Sequence, residues 1–334
     1  MKRVALIGYG YWGPNLLRNL FENTDCQVVY CCDFSSENLD KAKRRFPSII
    51  TTTKIDRVLN DPKIKAIIIA TPTKTHFPIA EKALKKGKDV LIEKPMTLTV
   101  DEAKLLVDLA KKNKRILMVD HTFLFNNAVL KIKELIDKKK LGKILYIDSV
   151  RINLGRFQPD VNVIFDLAAH DFSIINFLLN SKPKSLTATG KTHYNKQESI
   201  AYVTANYPKN ILAHIHVSWL SPLKIRRMFV IGTKKMIVYD EDEPSEEIRI
   251  YDKGVIIEET YVQVEKQAKI SYRSGDILLP KVNIVEPLST LIDTFIKALS
   301  SRVVPKSSGE SALDVMRALE ASNDSLKTNR KVNL

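Results

Sequence analysis

The feature that most narrows what this chain can fold into lies at its start. The apolar run Val4–Gly8 leads directly into Gly8-Tyr9-Gly10-Tyr11-Trp12-Gly13, and a helix-like segment follows, with Leu16, Leu17 and Leu20 on one face. A strand, a glycine-rich turn and a helix in that order form the first unit of a dinucleotide-binding sheet. Gly8 permits the tight turn, Gly10 lets the backbone approach a pyrophosphate, and Gly13 allows the helix to pack closely on the strand. The helix N-terminus then offers unpaired N–H groups and partial positive charge to phosphate, with Tyr11 and Trp12 in the turn beside it. Pro14 is tolerated in the first helical turn because its missing N–H has no intrahelical partner there. Asp33 closes the second apolar run, 20 residues after Gly13. A carboxylate there accepts hydrogen bonds from ribose hydroxyls and repels a 2′-phosphate, which favours NAD over NADP.

The rhythm continues to about residue 120. Gln27–Cys32, Ile49–Thr52, Ala66–Ala70, Asp89–Ile92 and Arg115–Val119 read as short buried strands. Glu37–Phe46, Ile55–Leu59, Phe77–Lys86 and Val100–Asn113 between them read as helices, and Gly87 suits a helix C-terminus. Alternating β and α with apolar strands predicts a parallel sheet covered on both faces.

Beyond residue 121 the pattern changes. Lys143–Asn153, Ser185–His193, Ser199–Tyr207, Ile211–Ser218 and Arg227–Val238 alternate apolar with polar residues, as strands with one wet face do. Asn127–Lys138, Val163–Leu179, Leu288–Ser300 and Gly309–Lys327 read as helices, and acidic Asp240–Glu247 reads as a surface loop. The fold expected is α/β. A Rossmann domain over 1–120 precedes an α+β domain over 121–334 with an open, mainly antiparallel sheet, and parts of the C-terminal helices are allowed to pack back on the first domain.

Composition excludes several classes. No uninterrupted apolar stretch is long enough to span a bilayer. The net charge of +15 comes from lysines scattered at helix ends, without a nucleic-acid-binding motif. Cys26, Cys31 and Cys32 have no metal-ligand spacing and read as buried reduced thiols, which suits the cytoplasm.

Three segments carry candidate chemistry. Thr71-Pro72-Thr73-Lys74-Thr75-His76 and Glu93-Lys94-Pro95 each follow a predicted strand of the first domain, at the sheet edge where ligands bind in such folds. Asp166 and His170 are four apart on a predicted helix, a spacing that points both the same way. These residue types fit reversible alcohol oxidation. His170 takes the hydroxyl proton, Lys94 steadies the oxygen, and Asp166 orients substrate or holds the other two.

The sequence resembles the GFO/IDH/MocA oxidoreductase family over nearly its whole length. The resemblance rests on GYGYWGPNLLRNL, TPTKTH, EKP at 93–95, HTFLFNNAV at 121–129, LGKI at 141–144 and DLAAHD at 166–171, all in the family's order. It implies that Lys94 contacts cofactor and substrate beside Glu93, and that Pro95 follows a cis bond. It also implies that Thr71, Pro72 and His76 line the nicotinamide site and that Asp166 and His170 form the acid/base pair. Where many members have Gly and Arg, this chain has Asp120 and Leu124, so no substrate role is carried over from that arginine. The outer sheet face commonly makes a dimer or tetramer in this family, so a homo-oligomer is expected.

A narrower resemblance, to dehydrogenases of nucleotide sugars such as those oxidising the 3-hydroxyl of UDP-N-acetylglucosamine, rests on GYWGPNL and on residues 151–162. It makes Asn153, Arg156, Gln158 and Asn162 substrate candidates, with Arg151 and Arg156 able to meet phosphate. Inositol or a free monosaccharide is the alternative substrate within the same fold. A non-catalytic NAD(H)-binding sensor or scaffold is the alternative class.

Overall fold

The computed structural model describes residues 1–158, 160–262 and 265–334, in two compact units. The first comprises Met1–Asn126 and Val285–Glu320, the second Asn127–Ile284 and Ala321–Leu334.

In the first unit β1 (Lys2–Ile7), β2 (Cys26–Cys32), β3 (Ile50–Thr52), β4 (Ala66–Ile69), β5 (Asp89–Glu93) and β6 (Leu117–Asp120) form one parallel sheet in the order β3-β2-β1-β4-β5-β6. Between them run α1 (Gly13–Glu22), α2 (Ser36–Arg45), α3 (Ile55–Asn60), α4 (His76–Lys85) and α5 (Val100–Lys112). The central strands are apolar because both faces are covered: Ala66, Ile67, Ile68 and Ile69 are all buried. The helix starts are written in the sequence. Ser35 caps α2 by accepting from the N–H of Asn38 at 3.3 Å. Thr99 caps α5 by accepting from Glu102, whose carboxylate accepts in return from the N–H of Leu98. Strand order reverses between β1 and β4, which places the switch point of the sheet beside the glycine turn.

The second unit opens with α6 (Asn127–Asp137) and β7 (Ile144–Ile152), then α7 (Ala169–Leu179), which is preceded by a π-helical turn over Ile164–Ala168. Its sheet adds β8 (Ser185–Thr192), β9 (Glu198–Tyr207), β10 (Ile211–Ser218), β11 (Ile225–Gly232), β12 (Met236–Asp240), β13 (Ile248–Val262) and β14 (Glu265–Leu278). After α8 (Pro287–Ser301) and α9 (Gly309–Thr328), β15 (Val332–Asn333) completes it. The order is β14-β13-β12-β11-β7-β10-β9-β8-β15, antiparallel except for the β7–β10 pair. Ala213, Ile215 and Val217 of β10 face the core and alternate with the less buried Leu212, His214 and His216.

Several expectations need correction. Arg227–Val238 is not one strand. It belongs to β11 and β12, joined by a hairpin at Thr233–Lys235, where a side chain at Gly232 would overlap the carbonyl oxygen of Leu141. Asp240 is not in a surface loop. It ends β12, is buried, and accepts from Arg227 at 2.7 Å and from Arg249 at 3.3 Å. The segment Val285–Glu320 joins the first unit, where α8 packs on α1 and on residues 122–125. Basic charge is also less scattered than the sequence implies. Lys2, Arg3, Lys63, Lys65, Lys86 and Arg302 line a hollow of about 900 Å³ at the edge of the first unit opposite the glycine turn.

Cys26, Cys31 and Cys32 are buried and free, and burial pushes their thiols up to about 12, 12 and 11. Among the described residues no helix is long and apolar enough to cross a membrane, and no cluster of His, Cys, Asp and Glu could hold a metal ion.

Candidate active site

The glycine turn has the geometry its sequence requires. Gly8 has φ of +97°, and a side chain there would overlap the carbonyl oxygen of Ala70 at the end of β4. A side chain on Gly13 would overlap the carbonyl oxygen of Gly8, so helix and strand meet at van der Waals distance. Gly10 differs: a side chain there would enter open space. Tyr11 is exposed, no side chain caps the start of α1, and no acid sits in its first turn. Open backbone before an uncapped, unopposed helix N-terminus fits a pyrophosphate. Asp33 is buried beside it, and its Oδ2 accepts from the N–H of Tyr9 at 2.7 Å. Its Oδ1 accepts from the N–H of Ser35 at 2.8 Å. The carboxylate therefore braces the turn and α2, and it keeps lone-pair capacity for ribose hydroxyls.

The two strand ends next to this turn hold the other first-unit candidates. Thr71 and the exposed Pro72 follow β4. His76 does not present its ring to a ligand. It is 1% exposed, and its ring nitrogens lie 2.9 Å from the carbonyl oxygen of Pro95 and 2.8 Å from that of Thr71. It thereby pins the two loops to each other. The Lys94–Pro95 peptide is cis. Glu93 Oε2 accepts from the N–H of Lys94 at 3.1 Å. Glu93 also sits opposite Asp120 in the β5–β6 register. The residue as a whole is only half-buried, but its Oε1 is sealed from solvent, and the sealed carboxyl governs its chemistry. Burial first, then the Asp120 charge, push that carboxyl well above the usual carboxylate range. Neighbouring His121 is 2% exposed, with neither ring nitrogen partnered among the described residues. Burial, helped by the Lys94 charge, holds its imidazole down to about 3.

In the second unit the π-helical turn carries Asp166, and His170 lies in the first turn of α7. Asp166 Oδ2 accepts from Trp219 Nε1 at 3.0 Å. Trp219 follows β10, is 1% exposed and packs against Phe157 with ring centroids 5.3 Å apart. The segment after β7 lies along it: Asn153 N–H donates to Ser218 O at 3.1 Å, and Gly155 N–H donates to Trp219 O at 2.9 Å. Trp219 thus brings Asn153–Phe157 to the Asp166 turn, a partner the sequence reading missed. A buried Trp needs an acceptor for its indole N–H, and that need was the available signal.

Behind His170, Asp171 is fully buried. It accepts from Ser149 Oγ at 2.8 Å and from Arg151 Nε at 3.2 Å. Arg151 also donates to Glu241 at 3.2 Å, and Arg226 pairs with the same carboxylate. Burial works against the Arg151 charge, but Asp171 and Glu241 outweigh it and raise its pKa. Arg151 is therefore committed to the fold and does not meet a ligand phosphate. Asn162 is committed as well. Its Oδ1 accepts from the N–H of Phe165 at 3.2 Å, and its Nδ2 donates to Glu198 at 2.9 Å and to Asn323 at 2.8 Å. It is a helix cap within a polar network, not a free contact for sugar. Arg156 is exposed and Gln158 half-buried, whereas Pro159 lies outside the described residues.

Residues 2–121 match the oxidoreductase family with an NAD-binding Rossmann fold, and residues 129–238 match the GFO/IDH/MocA C-terminal domain. YdgJ of Escherichia coli (strain K12), an uncharacterized oxidoreductase, is 32% identical over 261 residues, covering 73% of each chain. The chain belongs to the GFO/IDH/MocA family. A second relative is the UDP-N-acetylglucosamine 3-dehydrogenase of Acidithiobacillus ferrooxidans. It is 28% identical over 237 residues, covering 68% of this chain and 70% of the relative. The structure of GenD2 from gentamicin A biosynthesis, in complex with NAD, superposes with a TM-score of 0.84. It is 20% identical and covers 100% of this chain and 96% of its own, so it bears on the fold alone. This GFO/IDH/MocA chain is accordingly an oxidoreductase with an NAD-binding Rossmann domain.

Proposed function

We propose that this enzyme oxidises or reduces a hydroxyl-bearing carbon of a nucleotide sugar, in the manner of a UDP-N-acetylglucosamine 3-dehydrogenase, with NAD preferred to NADP. The observation that carries this reading is the relative of that activity, similar to this chain over 68% of its length. Asp33 beside the open turn supports the cofactor preference.

Gly8, Gly10, Tyr11, Trp12 and Gly13 would hold the pyrophosphate, and Asp33 the adenosine ribose. Thr71, Pro72, Glu93 and Lys94, at or just after the ends of β4 and β5, would line the nicotinamide site. When bound, NAD supplies the two-electron acceptor. His170 takes the proton of the reacting hydroxyl, Lys94 places a positive charge on the developing alkoxide, and Asp166, fixed by Trp219, orients the sugar. Asn153, Arg156 and Gln158 are the polar residues available to hydroxyls and phosphate. The active form is a homo-oligomer.

Initial rates with UDP-N-acetylglucosamine, inositols and free aldoses, each with NAD and with NADP, test the substrate and cofactor. Turnover of free polyols without turnover of the nucleotide sugar would discard the substrate assignment. Lys94→Ala and His170→Ala are each expected to lower kcat by roughly 10³-fold while leaving NAD binding nearly intact. Full activity in both would remove the mechanism.

A further inference from the structure

Glu93 and Asp120 occupy paired positions at the ends of β5 and β6, and the Asp120 charge adds to burial in raising the Glu93 carboxyl. Three of their four oxygens already accept from other donors. Asp120 Oδ2 accepts from Trp12 Nε1 at 3.2 Å, Asp120 Oδ1 from the hydroxyl of Thr122, and Glu93 Oε2 from the N–H of Lys94 at 3.1 Å. The fourth, Glu93 Oε1, is buried and meets no donor as long as the group is a carboxylate. Carboxylate oxygens can only accept, so a buried oxygen without a donor beside a second buried carboxyl is relieved by a proton. The unpartnered Oε1 is the place left for it.

We propose that Glu93 and Asp120 share a single proton, and that Asp120, through Trp12, is a positioning residue tying the glycine turn to the Lys94 segment. The pair then carries one negative charge behind Lys94 instead of two. That charge is buried: Asp120 is 2% exposed. Lys94 acts on Glu93 with the opposite charge, and His121 follows Asp120 in the chain. His121 stays neutral in its apolar setting, so Lys94 supplies the balancing positive charge. Because Trp12 belongs to the turn that fits the pyrophosphate, loss of the Asp120 acceptor should loosen the cofactor before it affects the proton transfer at His170. This second consequence rests on the cofactor assignment made above; the shared proton does not.

The shared proton is tested by infrared spectroscopy of the unliganded protein at neutral pH. A protonated-carboxyl stretch is expected in the parent and absent from Glu93→Gln, whose amide can donate to Asp120 as the acid did. No such band in the parent, or the same band in Glu93→Gln, overturns the shared proton whatever the substrate proves to be. In Trp219→Phe protein Trp12 is the sole tryptophan. Its emission should shift as Glu93 loses its proton above the usual carboxylate range, and the added Glu93→Gln change should abolish that shift. A shift that survives Glu93→Gln also overturns the proposal. The positioning role is tested by NAD titration. Asp120→Leu should weaken NAD binding about tenfold, the worth of one hydrogen bond to a charged group, and Asp120→Asn, which keeps an acceptor for Trp12, should restore it. Equal NAD affinity in the parent and Asp120→Leu removes the positioning role.

Discussion

The two units hold their candidate catalytic residues in opposite ways. Around Lys94 the first unit seals Glu93 Oε1 and both ring nitrogens of His121 without a hydrogen-bond partner among the described residues. Behind His170 the second unit pairs Asp171, Arg151 and Glu241 with one another. Asp171 has Ser149 and Arg151, Arg151 has Asp171 and Glu241, and Glu241 has Arg226. Under-partnered groups change protonation as the cheaper way out, whereas a closed set of ion pairs resists it. Glu93 and His121 are therefore the groups whose protonation folding disturbs, and the Asp171–Arg151–Glu241 set is a rigid mount.

The largest effect expected from this contrast belongs to the mount. Arg151→Ala leaves Asp171 buried without its cation and should cost about 3–5 kcal/mol in urea unfolding. Replacing Arg151, Asp171 and Glu241 together by apolar residues of similar volume should cost much less. A loss below about 1 kcal/mol for Arg151→Ala would break the comparison.

Next comes the pH dependence of the first unit. Folding lowers His121 from its ordinary 6.5 to about 3, so its contribution to stability is fully present above pH 6.5 and is lost as pH falls toward 3. Between pH 6.5 and about pH 4.5 that loss is about 2–3 kcal/mol. Thermal melts of His121→Leu should show a shallower acid limb by this amount, and an unchanged limb would refute the assignment.

The smallest effect concerns the two tryptophans, each of which donates to a carboxylate: Trp12 to Asp120 and Trp219 to Asp166. Trp12→Phe should shift NAD affinity and leave sugar KM alone, and Trp219→Phe should do the reverse, each by a factor of about ten at most. Identical profiles would show that the two halves do not divide the labour this way.

The first unit was the more legible half because its signals are local. A strand, Gly8-x-Gly10-x-x-Gly13 and a helix must be neighbours in sequence, and Asp33 follows at a spacing set by one βαβ repeat. The second unit depends on pairings distant in sequence. Nothing near Arg151 announces Asp171 or Glu241, so its guanidinium read as a phosphate contact. Asn162 read as a sugar contact although it caps its own helix, because capping and binding draw on the same amide chemistry. The hairpin between β11 and β12 was signalled by the polar break Gly232-Thr233-Lys234-Lys235 between two apolar runs, and the reading passed over it. β13 and β14 escaped because they carry charged residues on a two-strand ribbon, where little apolar patterning is imposed.

The wide turn at Ile164–Ala168 has a consequence for how this scaffold can vary. Such a turn holds one residue more than an ordinary helical turn. Excising a single residue there would tighten the coil and rotate whatever precedes the cut by about 100°. The acid at position 166 would swing away from the imidazole at 170 while leaving the mount behind it untouched. A one-codon change in length, with no substitution at either residue, would therefore part the acid and imidazole to which the proposed chemistry is assigned.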